Sequence, residues 1–200
     1  MKPECWIFLF CVTAVVYGVD EDRLKTLPCR PVDPVDLDLT WYRSVKLWYS
    51  PLSHKLELYR TSRELLQVAA EDIPEHDIYY EACITYQPSE EEDGYTVKGF
   101  GNRESFVRTA STDNPGAQLI ESDYKYGANG NGTIIYTDNK SYILNAICDR
   151  RTLVWNVWSV SPSLDSKTVS KIFAKIQKMG FYKENFVMFK YEICKNLPKA

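Results

Sequence analysis

A succession of short, strand-like segments through the middle of the chain constrains the fold more than any other feature. Segments rich in aromatic and β-branched residues alternate with clusters of Gly, Asn, Asp and Pro. The eight predicted strands are residues 41–49, 78–86, 95–100, 105–109, 118–124, 133–137, 142–148 and 153–160. Because most connections are short, consecutive strands are expected to pair antiparallel. The sequence therefore predicts an all-β protein, an eight-stranded up-and-down barrel able to hold one small ligand.

The hydrophobic period changes after the last predicted strand. Val169, Ile172, Phe173 and Ile176 recur at helical spacing, and Gly180 stands where a helix would end. We expect one C-terminal amphipathic helix, packed on the outside of the barrel. The aromatic segment 181–194 is expected to run back across the barrel.

The first residues resemble a secretory signal. Lys2 precedes an apolar run over residues 5–16, and Gly18 offers a small residue for cleavage. The prediction is a signal peptide over 1–18, a single domain over 19–200 and a secreted, extracellular protein. An uncleaved anchor is the alternative, disfavoured by the acidic residues 20–22 that follow at once. We expect no membrane span elsewhere.

The charge balance excludes a nucleic-acid partner. The chain has 24 Lys and Arg against 27 Asp and Glu, a formal net charge of −3, and no basic tract. Without such a tract, counterion release from phosphates provides no driving force for binding DNA or RNA.

Four of the six cysteines lie beyond the predicted signal: Cys29, Cys83, Cys148 and Cys194. An even number in an exported chain predicts two disulfides, and spacing alone leaves all three pairings open. With the thiols used in this way, no cysteine nucleophile remains. His54 and His76 are expected to be solvated, so we predict no catalytic residues, no metal and no required cofactor.

Three segments resemble the signature regions of the lipocalins. They are Thr-Trp-Tyr at 40–42, Thr-Asp-Asn at 137–139 with Tyr142 after it, and Trp-Ser-Val-Ser-Pro at 158–162. Their order and the single late helix also match, and the similarity extends from about Cys29 to Cys194. The chain is most similar to the arthropod and apolipoprotein D-like branch, which includes the bilin-binding proteins. The resemblance implies disulfides Cys29–Cys148 and Cys83–Cys194, and it implies that Trp41 lies at the barrel floor.

Strand alternation and the resemblance together predict the ligand-binding wall. If Cys83 points outward, its neighbours on either side point inward, and the same parity argument applies on the other strands. The resemblance places Asn156 and Trp158 inside. The predicted ligand-binding residues are Ala82, Ile84, Tyr86, Tyr95, Val97, Val154, Asn156 and Trp158.

This wall predicts a secreted carrier of a small hydrophobic molecule, with a tetrapyrrole pigment, fatty acid, sterol or retinoid as cargo. One alternative is that the rings fill the barrel and leave no cavity. Another is a scavenger or interaction protein that uses its rim loops or binds a biogenic amine. An amine needs buried carboxylates, and on the strands only Glu121 or Asp123 is a candidate, so neutral or carboxylated cargo is favoured. A receptor or a second copy of the chain stays open as a partner.

Two further segments carry predictions. Residues 61–71 are expected to form a short helix with a Thr61/Glu64 capping box, either a lid whose Leu65, Leu66 and Val68 face the ligand or a helix packed on the rim. Asn131 and Asn139 begin glycosylation motifs and are expected to lie in turns.

Overall fold

Ten strands and three α-helices make up the part of the chain that the computed structural model describes. That part is residues 26–67, 82–90, 92–101, 103–111, 116–122, 129–182 and 184–194. The strands are β1 Leu27–Pro28, β2 Trp48–His54, β3 Thr85–Pro88, β4 Gly94–Gly99, β5 Arg103–Ser111, β6 Ala117–Ser122, β7 Asn129–Thr137, β8 Tyr142–Asp149, β9 Thr152–Ser159 and β10 Phe186–Met188. The helices are α1 Leu39–Ser44, α2 Lys55–Leu66 and α3 Ser166–Lys178. The predicted signal peptide lies outside the described residues.

Strands β2 to β9 form a closed barrel. Each pairs antiparallel with the next, and β9 pairs back onto β2, with Ser53 opposite Asn156. The predicted eight-stranded barrel with a C-terminal helix is confirmed. The two remaining strands are short additions: β1 pairs with β9, and β10 pairs with β2.

The first predicted strand begins too early. Residues 39–44 form α1, and β2 starts only at Trp48. Asp38 caps α1, since its carboxylate accepts the backbone N–H groups of Thr40 at 2.9 Å and Trp41 at 3.1 Å. This cap favours a helical turn over an extended start to the strand. The predicted strand 78–86 corresponds to β3, and residues 78–81 lie outside the described part of the chain.

Helices α1 and α2 lie at opposite ends of the barrel. At one end, the backbone N–H of Asp38 just before α1 donates to Oδ1 of Asn139 in the β7–β8 turn, at 3.0 Å. At the other end, α2 follows β2, and its Leu65 lies against Gly99 at the end of β4. The barrel interior therefore lies between the two helices.

Helix α3 packs on the outside of the barrel, as predicted. Asp165 caps it by accepting the N–H of Thr168 at 2.9 Å, and Gly180 adopts a φ of +89° just beyond its end. Ile172 and Ile176 are fully buried in an outer cluster that includes side chains of β8 and β9. Among the described residues, no helix is long and apolar enough to cross a membrane.

Two disulfides tie distant parts of the chain together. They join Cys29 to Cys148 and Cys83 to Cys194, the pairs that the resemblance implied. The first holds the N-terminal segment to β8. The second holds the C-terminal segment, which pairs with β2 on the way, to the start of β3.

Candidate functional site

A cavity lies inside the barrel, between the strands and α2. Its volume is about 50 Å³, room for roughly four water molecules. Its described lining consists of Glu57, Thr61, Glu64, Tyr86, Tyr95, Val97, Val107, Thr109, Gln118, Ile120, Ile147, Asn156 and Trp158. Five of the eight predicted ligand-binding residues are in this wall. The other three, Ala82, Ile84 and Val154, are buried in the surrounding core and do not line the cavity.

Aromatic rings form one side of the cavity. The ring of Trp158 stacks on that of Tyr86 with centroids 4.3 Å apart, and Tyr95 meets Trp158 edge to face at 4.9 Å. Trp48 packs behind Trp158 at 6.2 Å. Such contacts fix the orientation of each ring. The wall is therefore rigid, as a selective site requires.

Glu57 brings a carboxylate into the barrel from α2. Its Oε2 accepts the Ser53 hydroxyl at 2.7 Å, and its Oε1 accepts the Asn156 amide at 2.8 Å and the Thr61 hydroxyl at 3.2 Å. Asn156 in turn accepts an N–H of Asn145 at 3.0 Å. Every group hydrogen-bonded to Glu57 in this network is neutral, and the nearby Arg60 charge offsets only part of the effect of burial on the carboxylate.

Glu64 is the second carboxylate in the wall. It is buried, and its Oε1 accepts the hydroxyl of Ser105 at 2.6 Å. It lies seven positions after Glu57 in the sequence, so the two side chains lie on one face of α2, two turns apart. That face points into the barrel.

The positions of these carboxylates correct the sequence prediction. Glu121 is exposed on β6, and Asp123 lies outside the described residues. The acids that line the cavity are on α2, which inspection of the strands alone missed. The signal that could have found them is the spacing of Glu57, Thr61 and Glu64. At helical spacing these three polar residues form one stripe along α2, most of which is buried.

Burial sets the ionisation of the groups around Glu57. Burial raises the pKa of the Glu57 carboxyl, and hydrogen bonds from Ser53, Asn156 and Thr61 offset part of that rise. Burial also raises the pKa of the Tyr86 hydroxyl well above its usual range, and the nearby Glu57 charge adds to the effect. Tyr86 is therefore neutral, and the charged form of Glu57 is disfavoured by burial and would be stabilised by a cation in the cavity.

Helix α2 starts earlier than predicted and is anchored by a buried ion pair. It begins at Lys55 with His54 as its cap, so the expected Thr61/Glu64 box is wrong. Arg60 Nη1 lies 3.0 Å from Asp149 Oδ2 at the end of β8, with the two side chains 9% and 2% exposed. Leu65 is buried in the core and Leu66 packs against it, but neither lines the cavity; Val68 lies outside the described residues.

The opposite end of the cavity is closed by tyrosines. The hydroxyls of Tyr42 on α1 and Tyr95 on β4 hydrogen-bond to each other, and the Gln118 amide donates to Tyr42 at 3.2 Å. Trp41, the predicted floor residue, is half-buried on α1 and meets Trp48 edge to face at 5.5 Å. Outside Tyr42 and Tyr95 lies an open groove of about 1000 Å³.

A second, smaller space adjoins the main cavity. Its volume is about 20 Å³, and Asn145, Ile134, Gly116 and Gly132 line it. Four residues line both spaces: Gln118, Ile120, Ile147 and Trp158. We call the main cavity the carboxylate lobe and the smaller space the amide lobe.

Other predicted positions have ordinary structural roles. His54 is buried rather than solvated, and His76 lies outside the described residues. Asn139 is in a turn as expected, but Asn131 is paired inside β7. Within the described part of the chain, no group of His, Cys, Asp and Glu side chains is arranged to hold a metal ion.

A closed, eight-stranded antiparallel barrel with one C-terminal helix packed outside is the lipocalin fold. One solved structure with a similar barrel is a siderocalin, Ex-FABP, described as functioning through dual ligand specificities. It is 14% identical, with 72% of this chain and 92% of that chain covered and a TM-score of 0.45. No family model and no curated protein matches the sequence.

Proposed function

We propose that this protein binds a small protonated amine inside its barrel. The observation that carries the proposal is the pair of α2 carboxylates, Glu57 and Glu64, in the wall of a cavity that is also lined by the rings of Tyr86, Tyr95 and Trp158. Of the functions that the sequence left open, this is the amine-binding alternative. Two disulfides suit a protein that works in an oxidising, extracellular compartment.

Charge is the main argument for a cationic ligand. Among the described residues that line the cavity there are two carboxylates and no Lys or Arg. Burial disfavours the charged form of Glu57, and the nearby Arg60 charge offsets this only in part. An ammonium group in the cavity would supply further positive charge and hydrogen-bond donors. Trp158, Tyr86 and Tyr95 offer ring faces and edges to the rest of the ligand, and aromatic faces also attract cations.

Cavity size argues against the hydrophobic cargo considered first. Drug-sized ligands occupy pockets of about 300–1,000 Å³. The carboxylate lobe measures about 50 Å³, which leaves no room for a tetrapyrrole, sterol or retinoid without a shift of α2. Of the ligands considered, a short amine comes closest to this volume.

Isothermal titration calorimetry tests the proposal with n-butylamine and n-butanol, two ligands of equal length that differ in charge. The buffer is phosphate at neutral pH, since Tris is itself an amine. We expect the amine to bind and the alcohol to bind at least tenfold more weakly. Glu57→Gln and Glu64→Gln each keep an acceptor oxygen but remove the charge, and each is expected to weaken amine binding about tenfold or more.

Glu121→Gln is the matched control, because Glu121 is an exposed carboxylate on the same barrel. It should leave amine affinity unchanged. If the double variant Glu57→Gln/Glu64→Gln binds the amine as well as the wild type, the proposal is wrong. Tight binding of the fluorescent fatty acid cis-parinaric acid, unaffected by either variant, would support the hydrophobic carrier instead.

A further inference from the structure

Trp158 carries a buried hydrogen-bond donor for which the described part of the chain provides no acceptor. Its Nε1 is shielded from solvent and has no acceptor among the described residues. Two other indole nitrogens share this condition, those of Trp48 and Trp155. Both of those side chains are fully buried and line neither lobe, whereas Trp158 lines both. Trp158 is therefore the one of the three whose neighbourhood has space for a ligand.

The indole of Trp158 cannot easily turn to find an acceptor within the protein. Tyr86 stacks on its face, Tyr95 meets it edge to face, and Trp48 packs at 6.2 Å. A buried donor held in place without an acceptor is unfavourable, and such groups in native proteins call for an explanation. An acceptor on a bound ligand provides one.

We propose that the cavity selects a short amine that also carries a hydrogen-bond acceptor, an oxygen or a ring nitrogen, and that the Trp158 N–H recognises this acceptor. The inference rests on the proposed amine-binding function and adds a second recognition element to it. Glu57 and Glu64 bind the ammonium group. Trp158, at the boundary of the two lobes, donates its indole N–H to the acceptor on the rest of the molecule. The two lobes measure about 50 and 20 Å³, so the ligand is short.

Water is the competitor for this donor. A water molecule in the lobe can accept the indole N–H, and a ligand must displace it. An acceptor on the ligand restores the hydrogen bond, whereas an alkyl group displaces the water without replacing what it supplied. Ligands that lack the acceptor are therefore expected to bind with lower affinity.

The test compares n-butylamine with 2-methoxyethylamine, which has an ether oxygen in place of one methylene group and the same number of heavy atoms. Titration of the wild-type protein is expected to show the ether amine binding about three- to tenfold more tightly. Trp158→Phe keeps an aromatic ring but removes the N–H, and in this variant the two amines should bind equally. An independent measurement on the wild type is the NMR signal of the Trp158 indole proton, which should move downfield with the ether amine and not with n-butylamine.

The titrations distinguish a failure of the amine-binding proposal from a failure of the proposed role of Trp158. Equal affinities of the two amines for the wild type, with binding still lost in Glu57→Gln/Glu64→Gln, would overturn the role of Trp158 and leave amine binding intact. A preference for the ether amine that persists in Trp158→Phe would also overturn it. If neither amine binds the wild type, both proposals fail.

Discussion

His54 is a buried histidine that works as a helix cap. Its Nδ1 accepts the backbone N–H of Leu56 at 3.2 Å, and its ring packs between Trp155 and Phe181 at centroid distances of 6.4 and 5.7 Å. Burial, with the positive charges of Arg60 and Lys55 nearby, lowers its pKa from 6.5 to about 4. Capping requires the neutral ring, because a protonated Nδ1 cannot accept a hydrogen bond.

We predict that His54 makes the protein less stable in mild acid. In the unfolded chain the residue takes up a proton below pH 6.5, whereas in the folded protein it stays neutral down to about pH 4. Its contribution is fully present above pH 6.5 and is lost as pH falls toward 4, with a loss of about 2 kcal/mol in the free energy of unfolding between pH 7 and pH 5. Urea unfolding at several pH values measures this.

His54→Asn is the control variant for that experiment. Asn is a good helix cap and does not titrate in this range. The difference in unfolding free energy between wild type and variant should shrink as pH falls from 7 to 5. A difference that stays constant with pH would show that the pKa of His54 is not lowered in the folded protein.

At the scale of single residues, the sequence predicted the interior only in part. Tyr86 lines the cavity as the alternation of strand side chains suggests, and Asn156 and Trp158 line it as the family resemblance implied. Glu57 and Glu64 were missed because they belong to an inserted helix, and no strand parity applies to it. His54 was taken as solvated because a polar residue in a long connection usually is, and its capping role appears only once the start of α2 is known.

Among the elements, α2 has the least ordinary environment. Nine of its twelve residues are buried, charged ones included: Leu56, Glu57, Leu58, Tyr59, Arg60, Ser62, Arg63, Glu64 and Leu65. A helix buried on most sides has no single apolar face. Its position at the barrel end depends instead on polar contacts, among them the buried Arg60–Asp149 ion pair, which joins α2 to β8.

Breaking this ion pair is expected to loosen α2 and destabilise the fold. In Arg60→Met, Asp149 keeps the weaker pair with Arg150, in which Arg150 Nε lies 3.9 Å from Asp149 Oδ1 and the Arg150 side chain is 45% exposed. Leaving a buried charge poorly compensated should lower the free energy of unfolding by about 3 kcal/mol. Chemical denaturation measures the loss. The double variant Arg60→Met/Asp149→Asn should recover part of it, because no unpaired charge remains.

An exposed ion pair on the same barrel provides the comparison. Lys98 and Glu104 lie 3.7 Å apart with side chains 42% and 66% exposed. Lys98→Met should change the free energy of unfolding by less than about 1 kcal/mol. If Arg60→Met has no larger effect than Lys98→Met, the buried pair does not anchor α2.

How well the sequence predicted each strand and helix depended on how that element is buried and capped. Strand β4 alternates buried and half-buried residues and α3 has one buried face, so their hydrophobic periods of two and 3.6 were visible. Strands β2, β8 and β9 are buried on both faces and were predicted from their aromatic and β-branched composition. Helix α1 was hidden by a strand-like composition and revealed by its Asp38 cap. The start of α2 was missed because a helix buried on most sides shows no clear period, and a histidine cap is uncommon.

The whole molecule is a barrel without free edges in its wall, held to both ends of the described chain by disulfides. Cys29–Cys148 spans 119 residues of sequence and Cys83–Cys194 spans 111. Loops of this length restrict the unfolded chain strongly. The pairing itself came from family resemblance, because four cysteines at these spacings allow three arrangements.

Removing either disulfide should cost the protein much of its stability. In the chain-entropy model, Cys29→Ala/Cys148→Ala and Cys83→Ala/Cys194→Ala should each lower the free energy of unfolding by about 4 to 5 kcal/mol. Denaturation under non-reducing conditions measures both losses. Peptide mapping without reduction checks the pairing, and a peptide linking Cys29 to Cys83 would contradict the structure.

The location of α2 also governs how quickly the cavity can exchange its contents. The helix covers one end of the barrel and is held by a buried ion pair, while hydrogen-bonded tyrosines close the other end. We expect a molecule to enter or leave during a transient opening of this arrangement, so the observed association rate should level off as ligand concentration rises. The same barrier delays departure. A ligand of modest affinity can therefore have a long residence time.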